Sequence, residues 1–154
     1  MPWPNNNVAG VMVGEAVSNG GWNAVLSFVF DCPTYLVVPE QRMPPRRFDL
    51  AILKVAVNGL FFAFEGKGMN YNWDTLAAEV RQCCQAIRVG QGYTYGMGGN
   101  GPECIIVEWD GTQLKYLYID GQGNLAYSQY RHTHHITNDQ AAILQILQEI
   151  RRIH

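Results

Sequence analysis

Three charged side chains, Asp49, Glu65 and Lys67, stand at the open end of what reads as an apolar hairpin. Arg47-Phe48-Asp49-Leu50-Ala51-Ile52-Leu53-Lys54 leads into Val55-Ala56-Val57-Asn58-Gly59, then Leu60-Phe61-Phe62-Ala63-Phe64-Glu65-Gly66-Lys67. Apolar runs either side of Asn58-Gly59 predict two strands joined by a tight Asn-Gly turn. Alternation along a strand sends Glu65 and Lys67 to the same face. Asp49 lies nine residues before Asn58 and Glu65 six after Gly59, so the hairpin brings the two carboxylates close across the pair. The chemistry this suits is hydrolysis of a phosphodiester. A hard cation neutralises the developing charge and lowers the pKa of an attacking water. Mg²⁺ takes oxygen ligands and keeps several waters, so two carboxylates and one backbone carbonyl suffice. Asp49 and Glu65 supply the carboxylates, and Gly66 offers its carbonyl with no side chain in the way. Lys67 is placed to orient the nucleophilic water or to stabilise the pentavalent phosphorane. Charges at strand ends are usually just solvated. Here Phe61, Phe62, Ala63 and Phe64 precede the acid, so the motif emerges from a core strand.

The order Asp, hairpin, Glu-x-Lys resembles the PD-(D/E)xK superfamily, the restriction-endonuclease-like nucleases, over roughly residues 8–110. Arg47-Phe48 stands where many members carry Pro before the Asp. The resemblance implies an α+β (α/β) fold with an α-β-β-β-α-β core, followed here by a C-terminal antiparallel meander and a terminal helix. Asp49 would sit on the second strand and Glu65-Gly66-Lys67 on the third, with a helix and a further strand to follow. It implies a metal-dependent endodeoxyribonuclease: DNA as substrate, Mg²⁺ or Mn²⁺ as cofactor, and an acid of the first helix joining the metal site. The competing reading is a catalytically inactive binding or assembly module on the same fold.

The elements around the motif follow from periodicity. Val8, Met12, Val13 and Val17 fit a helical face, as do Trp22, Val25, Leu26 and Val29. A hairpin over Gly20-Gly21 fits residues 8–30 as well. The resemblance selects helix, broken near Gly20, and makes Glu15 a third candidate carboxylate; otherwise Glu15 is a solvated helix glutamate. Thr34–Val38 reads as a strand. Arg42, Arg46 and Arg47 lie in the Pro-rich segment before Asp49, where they would grip a nucleic-acid backbone or simply solubilise a loop. Asn72 or Asp74 caps a helix through Leu76, Val80, Cys83, Cys84 and Ile87, which Gly90 and Gly92 end. Gln82 and Gln85 on it are candidate cleft contacts by resemblance, or plain exposed glutamines.

Gly90–Gly101 holds six glycines with Tyr93 and Tyr95. A helix precedes it and a strand follows, which excludes a dinucleotide fingerprint. A loop at the cleft edge, with tyrosines available for base stacking, is the remaining functional reading. Cys104–Trp109, Leu114–Ile119 and Leu125–Tyr130 form a meander turned by Asp110-Gly111 and Asp120–Asn124. A last helix, capped at Thr137 or Asn138, presents Ala141, Ile143, Leu144, Ile146, Leu147 and Ile150. His132, His134 and His135 read as a polar strand end, a His-x-His metal pair, or a proton donor to a leaving group.

Composition bounds the rest. A chain of 154 residues, 47% hydrophobic, is read as a single globular domain: a flexible polar stretch 1–7, the nuclease-like core 8–110, and C-terminal strands and helix 111–154. There is no apolar run long enough for a membrane span. Met1–Asn7 lacks a basic n-region and a long apolar stretch, which points to an intracellular protein, cytoplasmic or nuclear. Four cysteines without a CxxC pair argue against a zinc ribbon and for reduced thiols. A net charge of −2 argues against strong nonspecific DNA binding. A one-site nuclease needs two copies to cut both strands, so a homodimer through the C-terminal meander and helix is expected.

Overall fold

The computed structural model describes residues 3–40, 42–43, 46–87 and 93–154. In chain order its elements are α1 (Asn6–Val11), α2 (Glu15–Val29), β1 (Tyr35–Pro39), β2 (Arg42–Met43), β3 (Arg46–Arg47), β4 (Leu50–Lys54), β5 (Gly59–Lys67), α3 (Trp73–Ile87), β6 (Thr94–Asn100), β7 (Glu103–Trp109), β8 (Leu114–Ile119), β9 (Leu125–Ser128), β10 (His134–His135) and α4 (Gln140–Ile153). An open mixed sheet runs β1-β4-β5-β6-β7-β8-β9, with β10 also on β7, while β2 and β3 form a separate ribbon. The β5–β6 pair is parallel and the other described pairs are antiparallel. The architecture is α+β. One core joins α2 and α4 to one sheet face through Trp22, Leu26, Phe62, Phe64, Met97 and Ile146. A second joins α3 to the other face through Leu76, Val80, Ile105 and Val107.

The first segment is helical, but its break falls at Met12-Val13-Gly14 rather than near Gly20. Helix α2 continues through Gly20-Gly21 despite the entropic cost of glycine there. Met12 accounts for Gly21: a β-carbon there would lie 2.6 Å from both Met12 Sδ and Cε. The stretch expected to be flexible is docked from Trp3 onward. Trp3 Nε1 donates to the Ile136 carbonyl at 2.7 Å, and Asn5 Oδ1 caps α1 by accepting from Asn7 and Val8 N–H.

The glycine-rich stretch expected to form a loop holds a strand instead: Thr94–Asn100 is the fully buried interior strand β6. Its glycines are there because both helices approach it closely. A β-carbon at Gly98 would lie 2.9 Å from Leu76 Cγ, and one at Gly96 would lie 2.7 Å from Val80 Cγ1 and Cys84 Sγ, all on α3. On the opposite face, Gly99 leaves 2.7 Å between its missing β-carbon and Trp22 Cδ1. Tyr95 is accordingly a core residue and stacks no substrate, whereas Tyr93 is exposed. Asn72 caps α3 as expected, accepting the Thr75 N–H at 2.9 Å; Gly90 and Gly92 lie outside the described residues.

The C-terminal strands extend the same sheet rather than forming an appendage. Strand β8 pairs with β7 only at Val107–Trp109, and β10 takes the other part of that edge at Glu103–Cys104. The start of α4 falls one residue later than expected, with Asp139 at the cap position and its Oδ2 accepting the His135 N–H at 2.7 Å. Ile143, Ile146, Leu147 and Ile150 are all buried, which leaves Gln140, Gln145, Gln148 and Arg152 facing out. The helix expected to form a two-fold contact thus spends its apolar side internally. No described helix is long and apolar enough to cross a membrane.

Because Gly99 sits against the Trp22 indole, Gly99→Ala is expected to lower stability by roughly 1–3 kcal/mol, the usual cost of overpacking. Urea unfolding would measure it against Gly121→Ala, where a β-carbon meets nothing within 4 Å. An unchanged midpoint for Gly99→Ala would contradict the close-approach account.

Candidate active site

The tight Asn-Gly turn is not what joins the hairpin. Val55–Val57 form a 3-10 turn and Asn58 adopts the left-handed conformation, φ 47°, so that Lys54 pairs with Gly59. Leu53 pairs with Leu60, but Ile52 pairs with Phe62, Ala51 with Ala63 and Leu50 with Phe64. The register shift is a β-bulge that leaves Phe61 as the extra residue. Its consequence is specific. The unshifted register would set Asp49 opposite Phe64; the shifted one, carried one residue beyond the ladder, sets it opposite Glu65. A one-residue slip exchanges faces as well as partners.

Strand β4 parts from β5 at Asp49. The Asp49 carbonyl accepts the Glu40 N–H at 2.9 Å, and its Oδ2 accepts the Gly66 N–H at 2.8 Å. A side-chain oxygen thereby satisfies an amide that has lost its neighbouring strand. A strand residue's N–H and C=O point to the same edge. The Gly66 carbonyl therefore also faces the parting chain, while the Lys67 carbonyl, on the other edge, accepts the Gly101 N–H at 3.1 Å. Gly66 can carry no side chain, because its β-carbon would overlap Asn19 Oδ1 and lie 2.8 Å from Phe64 Cε1. Asn19 Oδ1 is buried there without a hydrogen-bond partner.

An open cleft of about 610 Å³ lies at this parting, lined by Glu15, Ala16, Asn19, Glu40, Arg47, Asp49, Glu65 and Lys67. Asp49, Glu65, Lys67 and Glu15, picked out in the sequence, thus share one wall system. Glu15 opens α2, where a carboxylate suits the helix dipole, and Asn19 follows one turn later. Arg47 reaches the cleft but pairs with Glu40 at 2.6 Å. The side chains of Arg42 and Arg46 lie outside the described residues. Gln82 and Gln85 are exposed on α3 and do not line the cleft.

Lys67 Nζ lies 3.4 Å from Glu65 Oε1 and 3.4 Å from Glu79 Oε2. The Tyr71 ring packs against it with its centroid at 5.4 Å, and the Tyr71 hydroxyl donates to Glu79 Oε1 at 2.8 Å. Burial pulls the Lys67 pKa down, but the carboxylates of Glu65, Glu79 and Glu15 outweigh it and hold the ammonium above its ordinary value. Glu65 is buried, and Cys83 Sγ approaches its Oε2 at 3.9 Å. Lys67 is therefore more than the loosely packed strand-end lysine suggested by its position. Sequence reasoning leaves out Asn19, Glu40, Tyr71 and Glu79. Two had a legible signal: Asn19 is four residues after Glu15, and Glu79 flanks the apolar stripe of α3.

Four carboxylates of the cleft, Glu15, Glu40, Asp49 and Glu65, face two cations, Arg47 and Lys67. The donors are hard oxygens, the kind that suits Mg²⁺ or Mn²⁺. Among the described residues no three His, Cys, Asp or Glu side chains converge as a ready-made metal group, so any such ion would rely on two carboxylates, the Gly66 carbonyl and water. The histidines act separately. His132 stacks on Tyr118 with centroids 3.9 Å apart. His134 is buried with Nε2 3.0 Å from the Leu117 carbonyl, bridging the gap where β8 leaves β7. His135 Nδ1 accepts from the Thr137 and Asn138 N–H groups. No known family, curated protein or solved structure matches this chain.

The Lys67 pairings have a pH signature. With a folded pKa raised above the unfolded one, its contribution is fully present below about pH 10.4 and is lost as pH rises through the folded value. Lys67→Met is expected to cost roughly 1–3 kcal/mol at pH 7, between the exposed and buried limits for ion pairs. The deficit should shrink as pH rises from about 9 towards 12 and the ammonium loses its proton. Urea midpoints across that range test it; a deficit independent of pH would mean that Lys67 contributes packing rather than charge.

Proposed function

We propose that this protein is a metal-dependent nuclease that hydrolyses phosphodiester bonds of DNA, with Asp49, Glu65 and Lys67 as its catalytic residues. The observation that carries the reading is their convergence on one cleft at the parting of β4 and β5, with the Gly66 peptide edge facing the same gap. The main-sheet succession α2, β1, β4, β5, α3, β6, with the β2–β3 ribbon inserted before β4, also supports it. Its first three strands are antiparallel neighbours and its last is parallel to the third, after a helical crossover. The arrangement is compatible with the order that the Asp…Glu-x-Lys resemblance implies, except that Asp49 lies one residue before β4 rather than on it.

Asp49 and Glu65, with the Gly66 carbonyl, would hold Mg²⁺ or Mn²⁺, and Glu15, which lines the same cleft, would contribute through water. When bound, such an ion neutralises charge on the phosphate and lowers the pKa of the attacking water. The chain's own groups do the rest. The Gly66 N–H donates to one Asp49 carboxylate oxygen at 2.8 Å, which fixes the carboxylate and leaves its other oxygen directed elsewhere. Lys67, kept protonated by its carboxylate neighbours, acts as a cation and hydrogen-bond donor to the water or the phosphorane, and not as a general base. Arg47 is the one described arginine on the cleft wall and would meet a flanking phosphate. The pairing of both cleft cations with carboxylates favours the second reading, an inactive module on the same fold, since those cations are already neutralised.

Asp49→Asn separates the two roles of Asp49, because the amide oxygen can still accept the Gly66 N–H while the charge is gone. This variant is expected to keep the wild-type urea midpoint within about 1 kcal/mol. It should lose Mn²⁺ binding by calorimetry and at least about 100-fold in Mg²⁺-dependent DNA cleavage. Cleavage at the wild-type rate would remove Asp49 from the reaction. Absence of both binding and cleavage in the wild type would favour the inactive module.

A further inference from the structure

Beside Lys67, on the α3 side of the sheet end, lies a second and smaller cavity of about 110 Å³. Tyr71 and Trp73 line it with Met69, Asn70, Pro102 and Glu103, and Asn100 forms its floor. Asn100 is buried and fully engaged with one residue: its Oδ1 accepts the Tyr71 N–H at 3.0 Å and its Nδ2 donates to the Tyr71 carbonyl at 2.7 Å. That pair of bonds fixes the Tyr71 backbone, and the Tyr71 ring in turn contacts Lys67. The cavity is thus built rather than incidental, and it connects to the proposed reaction centre through a single side chain.

We propose that this cavity receives one unpaired pyrimidine base of the substrate strand, so that the protein acts on single-stranded or locally unpaired nucleic acid. The inference rests on the nuclease reading of the adjoining cleft. Size limits the occupant: a cavity of about 150 Å³ holds benzene, so about 110 Å³ seats a single ring only in part, with its remainder in solvent, and excludes a buried purine. The walls set the chemistry: Lys67 lies over the Tyr71 ring and Arg131 over the Trp73 ring at 5.9 Å, so a base stacks on the ring face turned to the cavity. At the rim, the exposed Asn70 and Glu103 offer acceptors to an exocyclic amino group.

Six of the eleven basic side chains are held in described ion pairs. Duplex DNA presents a phosphate charge about every 1.7 Å and is held by unpaired basic side chains. Here Arg47 pairs with Glu40, Lys115 with Asp110, Arg131 with Asp74, Arg151 with Asp31 and Arg152 with Glu149. Lys67 itself lies between Glu65 and Glu79. For these six cations counterion release is reduced, and stacking carries more of the affinity.

The test is fluorescence anisotropy in EDTA with labelled ten-nucleotide strands, so that no cleavage is required. The pyrimidine single strand should bind more tightly than a purine strand or a duplex, with a shallow salt dependence. Trp73→Leu, which keeps an apolar side chain against α3, should weaken pyrimidine-strand binding about 5- to 150-fold, the equivalent of one base stack. Glu103→Lys, at an exposed position, should abolish any preference for cytosine over thymine strands. Duplex binding equal to single-strand binding, or wild-type affinity in a folded Trp73→Leu protein, would overturn the proposal. If the wild type binds the single strand but does not cleave it with Mg²⁺, the nuclease reading fails while the strand preference stands.

Discussion

Trp22 lies against Gly99 on one face of the sheet and Leu76 against Gly98 on the other, and neither glycine position has room for a β-carbon. This two-sided close approach at β6 governs the rest of the molecule. Interiors are packed to crystal-like density, so a strand with side chains removed draws its covering helices inward. Drawn in on one side, α2 brings Glu15 and Asn19 over the end of β5. Drawn in on the other, α3 brings Glu79 beneath Lys67 and Trp73 beside Tyr71. The Trp22 indole N–H and the Ser18 hydroxyl both donate to the Gly101 carbonyl, which ties α2 to the residue just beyond β6. The walls of both cavities are therefore set by a strand that contributes Asn100 to one and no residue to the larger.

The charges at the cleft follow from the same packing. Glu65 and Glu79 reach Lys67 from a strand and a helix that meet only because α3 sits close, and each carboxylate is largely withdrawn from water. Attraction between opposite charges about 3.4 Å apart grows severalfold as the effective dielectric falls from that of water toward about 20. The network is consequently stronger than a surface pair and still open to solvent on the cleft side. Two acids fix the cation, and Tyr71 bonds one of them. Lys67 then has neither the freedom nor the protonation behaviour of an exposed lysine. For the proposed chemistry that is a useful restriction: a cation held in place needs no reorganisation when charge develops on a phosphate.

What was legible in the sequence was what depends on local pattern. Alternation and the Asp110-Gly111 turn mark the meander, Asn72 marks the start of α3, and the apolar stripe of α4 is readable from Ile143 to Ile150. Asp49, Glu65 and Lys67 were legible as a group because strand alternation fixes Glu65 with Lys67. What was not legible depends on contacts between distant segments. The run from Gly96 to Gly99 reads as loop by composition, and only the facing Val80, Leu76 and Trp22 explain why it is a strand. The bulge at Phe61 leaves no mark in a run of aromatic residues, yet it decides which residue Asp49 faces. A break at Gly20-Gly21 follows from propensity, and the packing of Met12 overrides it. Tyr71 carries no periodic signal that separates it from ordinary surface residues.

The parting of β4 from β5 links this packing to the chemistry proposed for the cleft. An antiparallel pair that stayed zipped would use the Gly66 N–H and C=O in ladder bonds, and both would be closed to any ligand. Because the chain turns away at Asp49, one carboxylate oxygen takes the N–H while the carbonyl beside it still faces the gap. The Glu40–Asp49 backbone bond extends the β1–β4 ladder by one pair, with Glu40 in the left-handed region at φ 49°. That conformation is costly for a non-glycine residue. The strain, the bulge and the carboxylate–amide bond all act on the same few residues, and together they convert the end of a plain hairpin into a cleft with oxygen donors on one wall and a fixed ammonium on the other.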